Sequence, residues 1–357
     1  MTTVGVVGAG AMGAGIAQVA LEAGWEVVLH DIDADAIARA RARIRDGLDR
    51  RAAHLAVDAG PVDAWVDGRI ANLREAHVLD TLATEATLVI EAVVEDIELK
   101  RTIFRALDAE AAPDVILATN TSALSIGAIA EATTHGTRVI GLHFFNPVPL
   151  MALVEVVPGS LTSKAVVERA SAVMREWDKT PIRCSDSPGF IVNRVNRPYT
   201  IEALRLLESG AAGVEAIDAA MREAGFPMGP FELMDLAGLD VNLAAAHGVW
   251  TGLGQPDHLR PSPIQERLVA EGRLGRKTGG GFYAYPDGRR SAVASDFANV
   301  PPAHLDPAEI RARILAVIAA EARRAADEGV APMDDIATAL RLGAAHPDDA
   351  VAMVLRA

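Results

Sequence analysis

Along the first half of the chain, short apolar runs alternate with stretches of helical periodicity. Residues 3–8, TVGVVG, are long enough for one buried strand. After a glycine-rich turn, helical spacing runs from Gly13 to a stop at Gly24, and a second apolar run, WEVVLHD, follows at 25–31. The alternation continues, with strand runs at 86–95, 114–122, 138–145, 151–157 and 179–184. Helical patterns at 96–111, 125–133 and 163–177 lie between them. Such alternation predicts a doubly wound, mostly parallel sheet. From about Ser187 only helical patterns appear, in FIVNRVNRPYTIEALRLLESG and then GVEAIDAAMREAGFP.

The turn after the first strand reads Gly8-x-Gly10-x-x-Gly13. One glycine makes the tight turn, one admits a pyrophosphate to the backbone, and one packs the helix on the strand. The N–H groups that open this helix, those of Ala11 and Met12 among them, can meet the phosphates. Asp31 ends the second strand, where its carboxylate can bind both adenosine ribose hydroxyls and repel a 2′-phosphate. The expected cofactor is NAD. The expected fold is α/β, a Rossmann-type N-terminal domain followed by an all-α C-terminal domain. In such a sheet ligands gather at the carboxyl ends of the strands, and Asp31, Glu95, Ser122 and His143 all lie at or just past such ends.

Composition narrows the field. The net charge of −14 excludes a general nucleic-acid surface but not a local basic patch for a small anion. No apolar run approaches a membrane span, and MTTVGVVGAG lacks the features of a signal peptide, so a cytoplasmic location is expected. A lone cysteine, Cys184, rules out an internal disulfide framework and a cysteine-rich zinc site; no metal is expected. Lysine is rare: Lys100, Lys164, Lys179 and Lys277 stand among thirty arginines.

The segment HFFNPVPLMALVE opens on His143 and closes on Glu155 around a proline-rich bend. A carboxylate in an apolar strand needs a partner. In one reading Glu155 pairs with an arginine for packing and His143 is an ordinary strand-end residue. In the other, a hairpin sets Glu155 beside the His143 ring, fixing its tautomer and stabilising the imidazolium. His143 would then take a proton from a substrate hydroxyl as hydride leaves for a nicotinamide. Spacing alone does not separate the two.

Six motifs occur in one order: GAGAMGAGIAQVALEAGWEVVLHD, NTSALSI, GLHFFNPVPLMALVEVV, DSPGFIVNRV, GFPMGPFELMDLAGLD and GRKTGGGFYAY. Over about residues 3–285 the chain resembles the L-3-hydroxyacyl-CoA dehydrogenase family, especially its bacterial 3-hydroxybutyryl-CoA members. The resemblance implies NAD-dependent interconversion of a short (S)-3-hydroxyacyl-CoA and its 3-oxoacyl-CoA. By it, His143 matches the catalytic base and Glu155 its supporting acid. Ser122 matches the serine that contacts the reacting oxygen and the cofactor, and Asn193 an asparagine that helps hold the substrate. Glu95, Lys100, Asn146 and Lys277 match residues on the nicotinamide side, with Asn146 also beside the substrate. Blander readings stand beside these: Ser122 as a helix cap, Asn193 as a capping or interdomain bond, Lys277 as a solvated lysine.

The sequence departs from the family in ARARARIRDGLDRRAAH, where Gly47 and His54 stand at about the places of a serine and a lysine near the coenzyme A nucleotide. Arg39, Arg41, Arg43, Arg45, Arg50 and Arg51 supply the positive charge there. At helical spacing they occupy more than one face, so some face water while the group can still hold the coenzyme's phosphates. Further on, residues 321–341 lie over 202–222 at a constant offset of 119, with eight of 21 positions identical, a partial helical repeat.

The expected organisation is therefore 1–186 as the NAD-binding domain, 187–290 as the helical substrate and dimerisation domain, and 291–357 as a partial second repeat. A homodimer through the helical domain is expected, or a monomer if the tail takes the partner's place. Two other functions stand beside this one. A gulonate-type sugar-acid dehydrogenase fits less well with the Phe144–Phe145 pair, and a silent NAD-binding sensor or assembly protein fits less well with four intact site residues.

Overall fold

The computed structural model describes residues 2–55, 62–298 and 304–356. The chain divides into two compact units, Met1–Asp186 and Ser187–Ala357, so the segment past residue 290 lies within the second.

The first unit is built on one eight-stranded sheet in the order β3-β2-β1-β4-β5-β6-β7-β8. The strands are β1 (Thr3–Val7), β2 (Glu26–His30), β3 (Leu73–Ala76), β4 (Leu88–Glu91), β5 (Ile116–Thr119), β6 (Val139–Phe144), β7 (Leu153–Pro158) and β8 (Thr180–Arg183). The first six run parallel, while β7 pairs antiparallel with β6 and β8 runs parallel to β7. The inner strands read as near-continuous apolar runs because helices cover the sheet, whereas the edge strands β3 (LREA) and β8 (TPIR) are half exposed. One face packs Val4, Val6, Val27, Leu29 and Ile90 against Ile16, Ala20 and Ile44 of the helices Ala11–Glu22 and Ala34–Leu55.

The sequence pattern does not single out the third strand or the helices Val62–Ile70 and Leu79–Glu85, several element ends shift by one to three residues, and two boundaries beside the site differ with consequence. The first helix begins at Ala11, so Gly13 lies inside it; a Cβ there would come 1.8 Å from the Gly8 carbonyl oxygen, and only glycine permits the approach. The fourth strand ends at Glu91 rather than running on to Glu95. There the Glu91 carboxylate accepts the N–H of Val93 at 2.7 Å, which turns the chain away from the sheet.

The second unit is helical, with Val192–Val195, Arg197–Glu208, Val214–Glu223 and Pro230–Ala237 near its start and Pro307–Asp327, Met333–Ala344 and Asp348–Arg356 near its end. The buried carboxylate of Asp235 accepts the N–H groups of Phe282 and Tyr283 and so anchors the glycine-rich loop before them. No helix among the described residues is long and apolar enough to cross a membrane.

Candidate active site

The carboxyl ends of the parallel strands carry the chemistry in the first unit. Gly8 turns the chain with φ +101°, where a side chain would meet the backbone of Ala92. Asp31 reaches back across this turn: its Oδ2 accepts the N–H of Ala9 at 2.7 Å and its Oδ1 that of Asp33 at 3.0 Å. Beside it lies a cavity of about 330 Å³ lined by Gly8, Gly10, Asp31, Ile32, Val94 and Leu99. An apolar slot with one carboxylate at its mouth, next to a helix N-terminus, fits the adenosine and pyrophosphate of a dinucleotide.

Behind that turn lies a buried polar cluster. Lys100 is 1% exposed and Glu91 0%, with Nζ 2.6 Å from Oε1. Thr119 donates to the other Glu91 oxygen at 2.7 Å. Glu95 lies 3.4 Å from the same ammonium and binds the next loop, accepting from the Thr121 hydroxyl at 2.6 Å and the Ser122 N–H at 2.9 Å. The Ser122 hydroxyl also donates to Glu95, at 3.2 Å. Burial raises the Glu95 carboxyl, but the Thr121 bond, the Lys100 charge and the Ser122 N–H together hold it below the usual glutamate value. The structure thus brings Glu95, Lys100 and Ser122 into one network. Ser125, not Ser122, caps the following helix Ile126–Ala130.

His143 and Glu155 are direct register partners in the antiparallel pair β6–β7. Side chains of directly opposed residues share one face of a sheet, and here the His143 Nδ1 lies 2.6 Å from the Glu155 Oε2. Glu155 is 0% exposed. The Phe145 ring lies 4.5 Å from the imidazole, and the Asn120 side chain accepts the Phe144 N–H at 2.8 Å, tying the end of β6 to the loop that carries Ser122.

Asn146 lies near the start of the loop between these strands, and with Val148 and Leu150 it lines a groove of about 660 Å³. The opposite wall comes from Arg43, Gly47, Arg50, Arg51 and His54 of helix Ala34–Leu55. The other arginines of that helix are engaged on the surface: Arg39 with Asp33, Arg41 with Glu75 and Arg45 with Asp67. The loop is held from behind by Lys179, whose buried Nζ donates to the carbonyls of Val148 at 2.6 Å and Met151 at 2.9 Å.

In the second unit, Asn193 lies on the one-turn helix Val192–Val195. The Lys277 ammonium is paired with Asp240, at 2.6 and 2.7 Å from its two oxygens. Cys184, in the first unit, is buried. Glu91, Asn120 and Lys179 escaped the sequence reading. Of these, only the scarce Lys179 carried some signal.

Two family models match the chain: "3-hydroxyacyl-CoA dehydrogenase, NAD binding domain" over residues 3–187 and "3-hydroxyacyl-CoA dehydrogenase, C-terminal domain" over 189–285. The 3-hydroxyadipyl-CoA dehydrogenase of Escherichia coli is 46% identical over 292 residues, 82% of this chain and 60% of that protein's length. The mitochondrial hydroxyacyl-coenzyme A dehydrogenase of Sus scrofa is 44% identical over 284 residues, 78% of this chain and 90% of that one. Among solved structures, a 3-hydroxybutyryl-CoA dehydrogenase from Escherichia coli superposes with a TM-score of 0.86 at 35% identity, covering 99% of this chain and 93% of that one.

Proposed function

The chain belongs to the 3-hydroxyacyl-CoA dehydrogenase family, and on that premise we propose that it interconverts a short (S)-3-hydroxyacyl-CoA and its 3-oxoacyl-CoA with His143 as general base. The 2.6 Å contact of His143 with the fully buried Glu155 carries this reading. Glu155 accepts the Nδ1 hydrogen, which makes Nε2 the basic position of the ring. In the oxidative direction Nε2 takes the proton of the 3-hydroxyl, and the imidazolium so formed faces the carboxylate across a charge-assisted bond. The Gly8–Gly13 turn and Asp31 would hold NAD, which would supply the acceptor for the C3 hydride. In reduction the same ring returns the proton to the 3-oxo oxygen.

Ser122 serves as a donor toward that oxygen when its single hydroxyl proton turns from Glu95 to the substrate, while Glu95, which shares Lys100 with Glu91, keeps hold of the Ser122 N–H. A placed donor to charge growing on oxygen is worth about 3 to 4 kcal/mol in favourable cases. Asn193 holds the substrate, and Asn146 and Lys277 serve the nicotinamide side. Gly8, Gly10, Gly13, Ala11 and Met12 surround the pyrophosphate, with Asp31 on the ribose. Arg43, Arg50, Arg51 and His54, which line one wall of the groove, receive the coenzyme's phosphates. The location we propose is cytoplasmic.

The test follows NADH absorbance on adding acetoacetyl-CoA, with NADPH as control. Rapid loss with NADH and little with NADPH is expected. No loss with NADH on acetoacetyl-CoA or any longer 3-oxoacyl-CoA would overturn the proposal.

A further inference from the structure

The tail repeats the start of the helical unit in its ion pairs as well as its sequence. Arg194 and Arg313 are 119 residues apart, as are Glu202 and Glu321. Arg194 Nε donates to Glu321 at 2.8 Å, and Arg313 Nε donates to Glu202 at 2.6 Å. Each copy thus gives its arginine to the other copy's glutamate. That reciprocity is the signature of a two-fold interface, here closed within one chain. The helices Val214–Glu223 and Met333–Ala344 begin at the same offset of 119.

The two halves of this clasp are unequal. The Arg194 side chain is 2% exposed, against 51% for Arg313. Glu321 is 0% exposed and also binds His258 Nε2 at 2.8 Å and Arg324 at 3.1 Å. Asn193 directly precedes Arg194, whereas Ala312 stands before Arg313. The second copy therefore carries the clasp without the amide.

Asn193 sits on a helix of four residues, too short to define its own direction. The chain enters it through Gly189 at φ +77° and Phe190 at φ +49°, a left-handed conformation that a non-glycine residue keeps only when its surroundings enforce it. The Phe190 N–H donates to the Ser187 carbonyl at 2.8 Å and the Arg194 N–H to the Gly189 carbonyl at 3.1 Å, so the turn leads directly into Arg194, whose guanidinium is anchored in the tail. The guanidinium's planar fork is clamped between Glu321 and, at 2.7 Å, Glu328.

We propose that Glu321, from the tail helix Pro307–Asp327, is a positioning residue for the reaction: through Arg194 it orients the turn that carries Asn193. The proposal rests on the reading that Asn193 holds the substrate.

A double-mutant cycle tests it in the full-length enzyme. In Glu321→Gln, kcat/KM for acetoacetyl-CoA is expected to fall about 10- to 100-fold, the scale of a small misplacement of a site group. The NADH Kd, read by fluorescence, stays unchanged. In an Asn193→Ala background the Glu321→Gln change costs little more, because both act through one group. Equal losses in the two backgrounds, or none from Glu321→Gln while Asn193→Ala is impaired, would overturn the role of Glu321 alone. A normal rate in Asn193→Ala would instead remove the Asn193 reading, and the proposal with it. Should Glu321→Gln not fold, Glu321→Leu combined with Arg194→Met removes both charges and replaces it in the same cycle. That pair is expected to fold yet stay slow, and a wild-type rate from it overturns the proposal.

Discussion

Glu155 lies directly opposite His143 across an antiparallel strand pair, and its Oε2 is 2.6 Å from the imidazole Nδ1. With the carboxylate wholly buried, the ring has an orienting partner that bulk water does not screen. His143→Ala is expected to lower kcat by about 10²- to 10⁴-fold, the usual contribution of a placed general base. Glu155→Gln keeps the shape but can donate to Nδ1, favouring the wrong tautomer, so a loss of similar size is expected, up to about 10⁴-fold. Circular dichroism should show both variants folded. A His143→Ala enzyme with near-normal turnover would remove His143 from the chemistry.

Asp31 accepts backbone N–H groups on both oxygens, which fixes the carboxylate beside the adenosine cavity. Removing it forfeits charge-assisted bonds to the ribose, worth about 1.5 to 3 kcal/mol in total effect, or roughly 10- to 100-fold in binding. Asp31→Ser should raise the KM for NADH on that scale and narrow the gap to NADPH. Steady-state kinetics with both cofactors would measure it, and an unchanged NADH/NADPH ratio would count against the ribose assignment.

The arginines of helix Ala34–Leu55 divide by what they touch. Arg50 and Arg51 line the groove beside Asn146, whereas Arg39 pairs with Asp33 at the surface. Arg50→Ala and Arg51→Ala should each raise the KM for acetoacetyl-CoA, by about tenfold if one phosphate contact of roughly 1.5 kcal/mol is lost. The effect should shrink with added salt. Arg39→Ala should change nothing. Using a pantetheine thioester, which lacks the nucleotide phosphates, should erase the difference between these variants and the parent enzyme.

How much of this was legible in the sequence depended on where each partner lay. The glycine turn and Asp31 could be read because their spacing is local. His143 and Glu155 could be paired as candidates because only a proline bend separates them, though their contact needed the register of β6 and β7. Glu91 could not be singled out: it stood inside a run read as one strand, and its partners are Lys100, nine residues on, and Thr119, 28 residues on. Lys179 is bound by main-chain carbonyls, which leave no mark in a sequence. For the arginine helix, periodicity showed several faces but not which one met Asp33, Glu75 and Asp67.

Lys179 yields its own prediction, because its two carbonyl partners belong to the loop joining His143's strand to Glu155's. Lys179→Met would leave buried acceptors unsatisfied, at about 1 to 3 kcal/mol. In a unit of this size that corresponds to a Tm lower by several degrees, at roughly 2 to 4 °C per kcal/mol. Because the same loop walls the groove, KM for acetoacetyl-CoA should rise several-fold while NADH binding is unaffected. A variant that melts early but keeps its KM would make Lys179 a matter of stability only.

His346 lets the tail's packing be read through pH. Its Nε2 lies 2.8 Å from the Asn196 Oδ1, its ring stands edge-on to Phe226, and it is buried. Burial pushes the imidazole down to about 4 from an ordinary 6.5. Between those values the unfolded chain binds a proton that the folded chain refuses, so stability falls as the pH drops. This contribution is present in full above about pH 6.5 and is lost progressively toward pH 4, amounting to roughly 3 kcal/mol at most. His346→Gln can still donate to Asn196 but does not titrate. Melting curves of the two proteins from pH 7 to 4.5 should therefore diverge, with the parent losing more stability on acidification. Parallel curves would mean that His346 titrates alike in the folded and unfolded chain, so that its burial does not hold the proton off.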